Sequence, residues 1–188
     1  MRNGRFSSGR ENAMKILIAY AGRHGTTREC VKRMLSFFEG REISVADLSK
    51  ETPDASQFDV CIVGASVRFG RLQKEAREFL KKQEDVLCQR HLGLFFCCGL
   101  PHESEYYRDV LFSKKLKQHA FELLYFGGSL RQEGLSWWER HLIRSIRSAI
   151  VESEFEDGEY TPSLPGILPE NIERMAMRVR REFLSLNG

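Results

Sequence analysis

Residues 15–29, KILIAYAGRHGTTRE, constrain the fold more than any other part of the chain. A short apolar run, 16–20, breaks into a glycine-bearing turn, and the turn opens directly into a helical pattern. A run this short, bounded by a turn, suits a strand covered on both faces. Thr26 and Glu29 have capping-box spacing, a hydroxyl at the N-cap and a carboxylate three residues on. Strand, tight turn and helix N-terminus in succession make an anion site. Backbone N–H groups point out of the turn, and the helix dipole favours negative charge there. Phosphate is the natural tenant. The plainer reading is a first βα turn with no ligand.

The alternation continues along the chain. Val31, Met34, Leu35 and Phe38 mark a helical face over 26–38, ended by Gly40. A second strand is predicted at 43–48 and a third, nearly all apolar, at 60–65. The loop Ser66-Val67-Arg68-Phe69-Gly70 leads into a helix with Leu72, Ala76, Phe79 and Leu80 on one face. A fourth strand at 92–98 is broken by Gly99 and Pro101. A helix over 105–118 and a fifth strand at 121–127 follow. Residues 129–168, with a Trp-rich basic stretch, an acidic stretch and three prolines, interrupt the pattern. A last helix starts at Pro169, with Ile172, Met175, Ala176, Val179 and Phe183 as its apolar face. Buried strands alternating with helices predict a parallel sheet covered on both faces. Ligands of such sheets sit beyond the carboxyl ends of the strands. The loops 21–26, 66–71 and 99–105 converge there.

With 188 residues, 41% of them hydrophobic, the chain suits one domain over 14–188. The first thirteen residues are polar and read as a disordered tail. They carry no apolar stretch of the secretory kind. No apolar run approaches the roughly 20 residues that span a bilayer. The five cysteines include no C-x-x-C pair, which fits free thiols in a reducing cytoplasm. Adjacent Cys97 and Cys98 read either as small apolar strand residues or as a vicinal redox pair, and the former fits better. Net charge is +3, with Arg concentrated in 131–147 and 174–181.

Four motifs carry a family resemblance: Arg23-His24-Gly25-Thr26-Thr27-Arg28-Glu29, Val63-Gly64-Ala65-Ser66-Val67-Arg68-Phe69-Gly70, Gly127-Gly128-Ser129-Leu130-Arg131, and Trp137-Trp138-Glu139-Arg140. With these the chain resembles the flavodoxin family, and within it the flavodoxin-like, quinone-linked protoporphyrinogen oxidases of bacteria, over about 15–186. The resemblance implies a flavodoxin-like α/β fold: a five-stranded parallel sheet of order 2-1-3-4-5, helices on both faces, and an insertion after strand five. It implies FMN as cofactor, bordered by Arg23, His24, Gly25, Thr26, Thr27, Ser66, Val67, Arg68, Phe69, Gly70 and Gly99. Its activity would be the oxidation of a porphyrinogen, with a quinone as acceptor and Arg68, Arg71 and Arg131 meeting the substrate's propionates. Where the family presents three hydroxyls to the phosphate stand Gly22, His24 and Thr27. Two missing charge-assisted hydrogen bonds correspond to about 3–6 kcal/mol, or roughly two to four decades in affinity. Arg23 or His24 can replace part of this.

Each candidate also has a plain structural reading. Phe69 is a platform for a flavin ring or a core residue under its loop. Arg68 sits near the flavin, binds a substrate carboxylate, or faces solvent. His102 and Glu103 read better as a polar turn than as an acid or base. No residue stands out as an obligatory catalytic acid or base. His24 and His141 have no metal-ligand spacing with other residues. In 136–151, Ser136 and Glu139 repeat the capping-box spacing. Trp138, Leu142, Ile146 and Ile150 fall on one helical face and Arg140, Arg144 and Arg147 on another. That pattern fits an interfacial membrane helix, a partner-docking helix or an ordinary surface helix. Nothing matches a nucleic-acid module. The expectation is a cytoplasmic protein with a peripheral membrane contact. The basic balance favours an enzyme over an electron carrier, because the carriers of this family are strongly acidic. The alternatives are such a carrier, or a binding module of this fold without FMN.

Overall fold

The computed structural model describes residues 14–23, 25–99, 103–128 and 166–184. The strands are β1 (Ile16–Ala21), β2 (Ile43–Asp47), β3 (Val60–Arg68), β4 (Arg71–Leu72), β5 (His91–Cys97) and β6 (Glu122–Tyr125). The helices are α1 (Thr26–Leu35), α2 (Lys74–Lys82), α3 (Glu84–Leu87), α4 (Ser104–Val110), α5 (Lys114–His119) and α6 (Pro169–Val179). Five strands run parallel in the order β2-β1-β3-β5-β6, as the alternation predicts. The sixth, β4, is an addition. It pairs antiparallel with the end of β3 and takes Leu72, which the sequence placed on the face of the following helix; that helix starts only at Lys74.

Successive strand residues point to opposite faces, so each apolar run feeds two cores. One core packs Cys30, Val31 and Met34 of α1 and Ile172, Met175 and Val179 of α6 on Ile16, Ile18, Ile62 and Phe95. The other packs Ala76, Phe79, Leu87, Tyr107 and Leu116 on Leu17, Ala19, Val63 and Phe96. Gly64 makes room for this arrangement. A Cβ there would lie 2.4 Å from the Phe95 ring, which in turn stacks on Phe126 at 4.5 Å between centroids.

Three local expectations are corrected. The capping box does not form: Gly25 is the N-cap, at φ 86°, and no side chain caps α1. The Glu29 carboxylate instead accepts from Arg33 Nε at 3.1 Å. Gly25 takes the N-cap position in the left-handed region that glycine tolerates, so Thr26 is the first helical residue rather than the cap. The predicted helix 105–118 is two helices. Ser113 caps the second by accepting from Leu116 N–H at 3.2 Å, and an N-cap needs non-helical backbone. The third strand runs three residues past its predicted end, to Arg68.

Charge holds α6 on β6. The Glu122 carboxylate, only 10% exposed, accepts from Arg174 Nη2 and Arg178 Nη1, each at 2.8 Å. Asn171 Nδ2 donates to Tyr125 O at 2.7 Å beside it. Removing the carboxylate takes away the partner that Arg174 and Arg178 share, while Arg178 keeps Glu182 at 3.1 Å and both retain some solvent. Glu122→Ala is expected to lower the unfolding free energy by about 2 kcal/mol in urea denaturation. A loss under about 0.5 kcal/mol would show that the pair is no better than an ordinary surface bridge.

The chain leaves the sheet after β6 and returns to the same spot. Gly127 and Ile167 form an antiparallel bridge, Gly128 N–H donates to Gly166 O at 3.2 Å, and Leu168 N–H donates to Phe126 O at 3.0 Å.

Candidate functional site at the carboxyl end of the sheet

Strand register lines up the three loops. Ala21 pairs with Ala65, and Ser66 with Cys97. Gly22, which follows Ala21, therefore stands in the row of Ser66 and Cys97 where the chain leaves β1, β3 and β5. The chain leaves β1 toward β2 and leaves β3 toward β5, on opposite sides, so the strand order reverses between β1 and β3.

The first loop is a cradle at the open end of α1. Gly25 turns the chain in the left-handed region, which releases the N–H groups of the first helical turn upward. Gly22 is tighter still: a Cβ there would meet Thr27 Oγ1 at 2.7 Å and Thr27 Cβ at 2.8 Å. The Thr27 side chain thus fills the space of the missing one. Thr27 is 1% exposed, and its hydroxyl makes no well-formed hydrogen bond, although the Cys97 thiol lies close enough to interact with it. An orphaned buried hydroxyl costs about 1–3 kcal/mol unless something satisfies it. An anion in the cradle supplies the acceptor. Glycine for close approach, a helix N-terminus and a buried hydroxyl without a well-formed hydrogen bond fit a phosphate.

The second loop is a two-residue hairpin. Val67 pairs with Leu72 and Arg68 with Arg71, leaving Phe69 and Gly70 as the turn, at φ 49° and 72°. Two positive φ values in succession define a type I′ turn, whose first position normally takes Asn, Asp or Gly. Phe69 holds this conformation while 58% exposed, with the Arg68 guanidinium carbon 5.2 Å from its ring centroid. The core reading of Phe69 is therefore out. Strain of this kind concentrates at binding sites, and here it presents an aromatic face at the mouth. The stem is secured by Gln73: its N–H donates to Ser66 O at 3.1 Å and its Nε2 to Ser66 Oγ at 3.2 Å. Sequence reasoning missed Gln73, since a helix N-cap glutamine carries no signal for a contact seven residues back.

The hairpin sets Arg68 and Arg71 directly opposite each other, on one face. Like charges so placed repel. Burial, and secondly the charge of Arg23, hold the Arg68 guanidinium below its ordinary pKa. Three arginines from two loops thus share the mouth, a setting that favours a carboxylate or phosphate between them.

The structure brings together Arg23, Gly25, Thr26 and Thr27 in one loop, and Ser66, Val67, Arg68, Phe69, Gly70 and Arg71 in the next, with half-buried Gly99 beside them. His24, His102, Arg131, His141 and the segment 136–151 lie outside the described residues. Cys97 and Cys98 point to opposite faces of the sheet, in different cores, which excludes the vicinal pair. Among the described residues no three His, Cys, Asp or Glu group to hold a metal, and no helix is long and apolar enough to cross a membrane.

The chain is 27% identical over 145 residues to protoporphyrinogen IX dehydrogenase [quinone] of Escherichia coli (strain K12), covering 71% of this chain and 78% of that one. The protein of the same name from Escherichia coli O157:H7 matches to the same extent. A Fusobacterium nucleatum flavodoxin solved with flavin mononucleotide superposes with a TM-score of 0.54, covering 90% of this chain and 99% of that one at 14% identity, which establishes the shared fold. The family described as the Flavodoxin domain matches residues 17–155, most of the chain. The sheet order, the cradle after β1 and this match agree, and the chain belongs to the flavodoxin domain family.

Proposed function

We propose that the chain is an FMN-dependent oxidoreductase that dehydrogenates protoporphyrinogen IX to protoporphyrin IX, with a quinone as electron acceptor. Six hydrogens leave the porphyrinogen in three two-electron steps, and three quinones become quinols. The observation that carries the reading is the orphaned Thr27 hydroxyl in the Gly22 cradle, which fits the cofactor's phosphate. The name of the Escherichia coli relatives supports the substrate.

Gly25, Thr26 and Thr27 hold the phosphate, with Arg23 and His24 adding charge. Ser66, Val67, Arg68, Phe69, Gly70 and Gly99 border the ring. Bound FMN supplies the hydride chemistry. The chain's own residues orient the substrate: Arg68 and Arg71 face each other across the hairpin and take its propionates, with Arg131 as a third cation. Protons leave to water. A contact between 136–151 and an anionic bilayer would bring the quinone within reach and rests on the sequence pattern alone.

An anaerobic assay of FMN-loaded protein with protoporphyrinogen IX and a menaquinone analogue, followed by porphyrin fluorescence, is expected to show quinone-dependent turnover. Arg68→Ala is expected to lower kcat/KM by roughly ten- to a hundredfold, the worth of one charge-assisted hydrogen bond. Porphyrin formation at the protein-free rate would reject the substrate. Fast electron transfer from a flavodoxin reductase in the same preparation would then mark a carrier.

A further inference from the structure

We propose that Cys30 and Cys97 are a redox-active dithiol under the first loop, which a hydroperoxide closes to a disulfide and which the bound cofactor phosphate protects. Cys30 lies on α1 and Cys97 ends β5, 67 residues apart in sequence. Their sulfurs are 3.8 Å apart, in contact with no atom between them. Both are buried, at 0% and 3% exposure, on the same face of the sheet. The other three cysteines do not share this place: Cys61 and Cys98 belong to the opposite core, and Cys88 stands half-exposed at the amino end of β5.

The pair is connected to the site. Thr27 precedes Cys30 by three residues on one side of α1, and its buried hydroxyl lies between Gly22 above and the Cys97 thiol below. Closing the bond brings the sulfurs from 3.8 Å to about 2 Å. One of the two elements must give way. β5 is paired on both sides, by β3 and β6, whereas the first turn of α1 has no cap hydrogen bond from a side chain. The motion therefore falls on α1, and on the cradle it carries.

Chemistry and access agree on a slow, occupancy-dependent reaction. One thiolate attacks the peroxide oxygen, forming a sulfenic acid and releasing water from hydrogen peroxide. The second thiol attacks that sulfur, the S–S bond forms, and a second water leaves. Two thiols and one peroxide thus give one disulfide and two waters. The neighbouring Cys30 sulfur, and then burial, hold the Cys97 thiol well above its ordinary pKa, so the closed protein reacts poorly. Reaction requires the start of α1 to open, and an anion in the cradle holds it shut.

The inference rests on the first loop being the FMN phosphate site, and the test separates the two. Reduced, FMN-free Cys88→Ser protein is treated with hydrogen peroxide. The cross-link is read by intact mass (a loss of two hydrogens), by peptide mapping and by reversal with a thiol reductant. A 30–97 cross-link is expected, absent from Cys30→Ala and from Cys97→Ala. Saturating FMN is expected to slow it at least about tenfold, and the oxidised protein to bind FMN at least about tenfold more weakly. Hydrogen exchange at amides 26–30 should quicken on oxidation whether or not FMN binds. Cys30 and Cys97 remaining reduced while the protein stays folded would overturn the dithiol. A cross-link that changes neither exchange nor FMN affinity would overturn its coupling to the loop. Failure of the reduced protein to bind FMN would reject the cofactor and leave mass and exchange to decide the dithiol.

Discussion

Gly22→Ser is expected to weaken FMN binding roughly ten- to a hundredfold, even though it adds the hydroxyl that the family usually places there. The reason is space. The new Cβ would sit 2.7 Å from Thr27 Oγ1 and 2.8 Å from Thr27 Cβ. Thr27 is buried against the sheet and cannot swing out to solvent. Overpacking of this kind costs about 1–3 kcal/mol, and the displaced group is the buried hydroxyl of the cradle. The added serine oxygen is worth about 1.5–3 kcal/mol only if the loop keeps its geometry, which the clash prevents. Flavin fluorescence quenching measures the affinity directly. A double-mutant cycle with Thr27→Ala isolates the contact: with Thr27 trimmed, the serine should recover affinity relative to Thr27→Ala alone. Tighter binding by the single Gly22→Ser variant would show that the loop has slack, and that the glycine is an absence rather than a requirement.

Gly127→Ala is expected to be the most destabilising single methyl in the chain's β6 region, by about 3 kcal/mol. Gly127 sits at φ 79°, where an L side chain costs about 1–2 kcal/mol. Its Cβ would also lie 2.2 Å from Gly166 O, 2.9 Å from Leu168 N and 3.1 Å from Ile167 Cα. All three are backbone atoms of the returning segment, so no rotamer relieves the contact, and about 1–3 kcal/mol of overpacking is added. For a chain of this size the change corresponds to a fall in Tm of roughly 6–12 °C. Gly166→Ala is the matched control, since nothing stands within 4 Å of a Cβ there. A Gly127→Ala variant that melts within about 2 °C of the parent would show that the two segments separate at little cost.

These two glycines also show what the sequence made legible. The sheet was legible because both faces are covered, and a strand buried on both sides must be an apolar run, as 16–20 and 60–65 are. The face of α6 was legible because Ile172, Met175, Ala176 and Val179 keep helical spacing, and all four are buried. What failed was decided by single backbone conformations. Thr26 and Glu29 satisfy the capping-box spacing, yet Gly25 takes the left-handed position and moves the helix start by one residue. The hairpin was hidden because Phe69 occupies a turn position that favours Asn or Gly, leaving Gly70 as the one orthodox signal. The motifs located the loops of the site. They could not reveal that Thr27 is buried under Gly22, because that contact depends on the path of the turn in three dimensions.

The bridge between Gly127 and Ile167 makes the segment it encloses a module. The chain departs and re-enters at one backbone bridge, which holds the two ends together beside β6. A change of length between 129 and 165 is compatible with this bridge as long as the two ends still meet. The fold thus fixes where the two ends, Gly127 and Ile167, stand beside the last strand of the sheet.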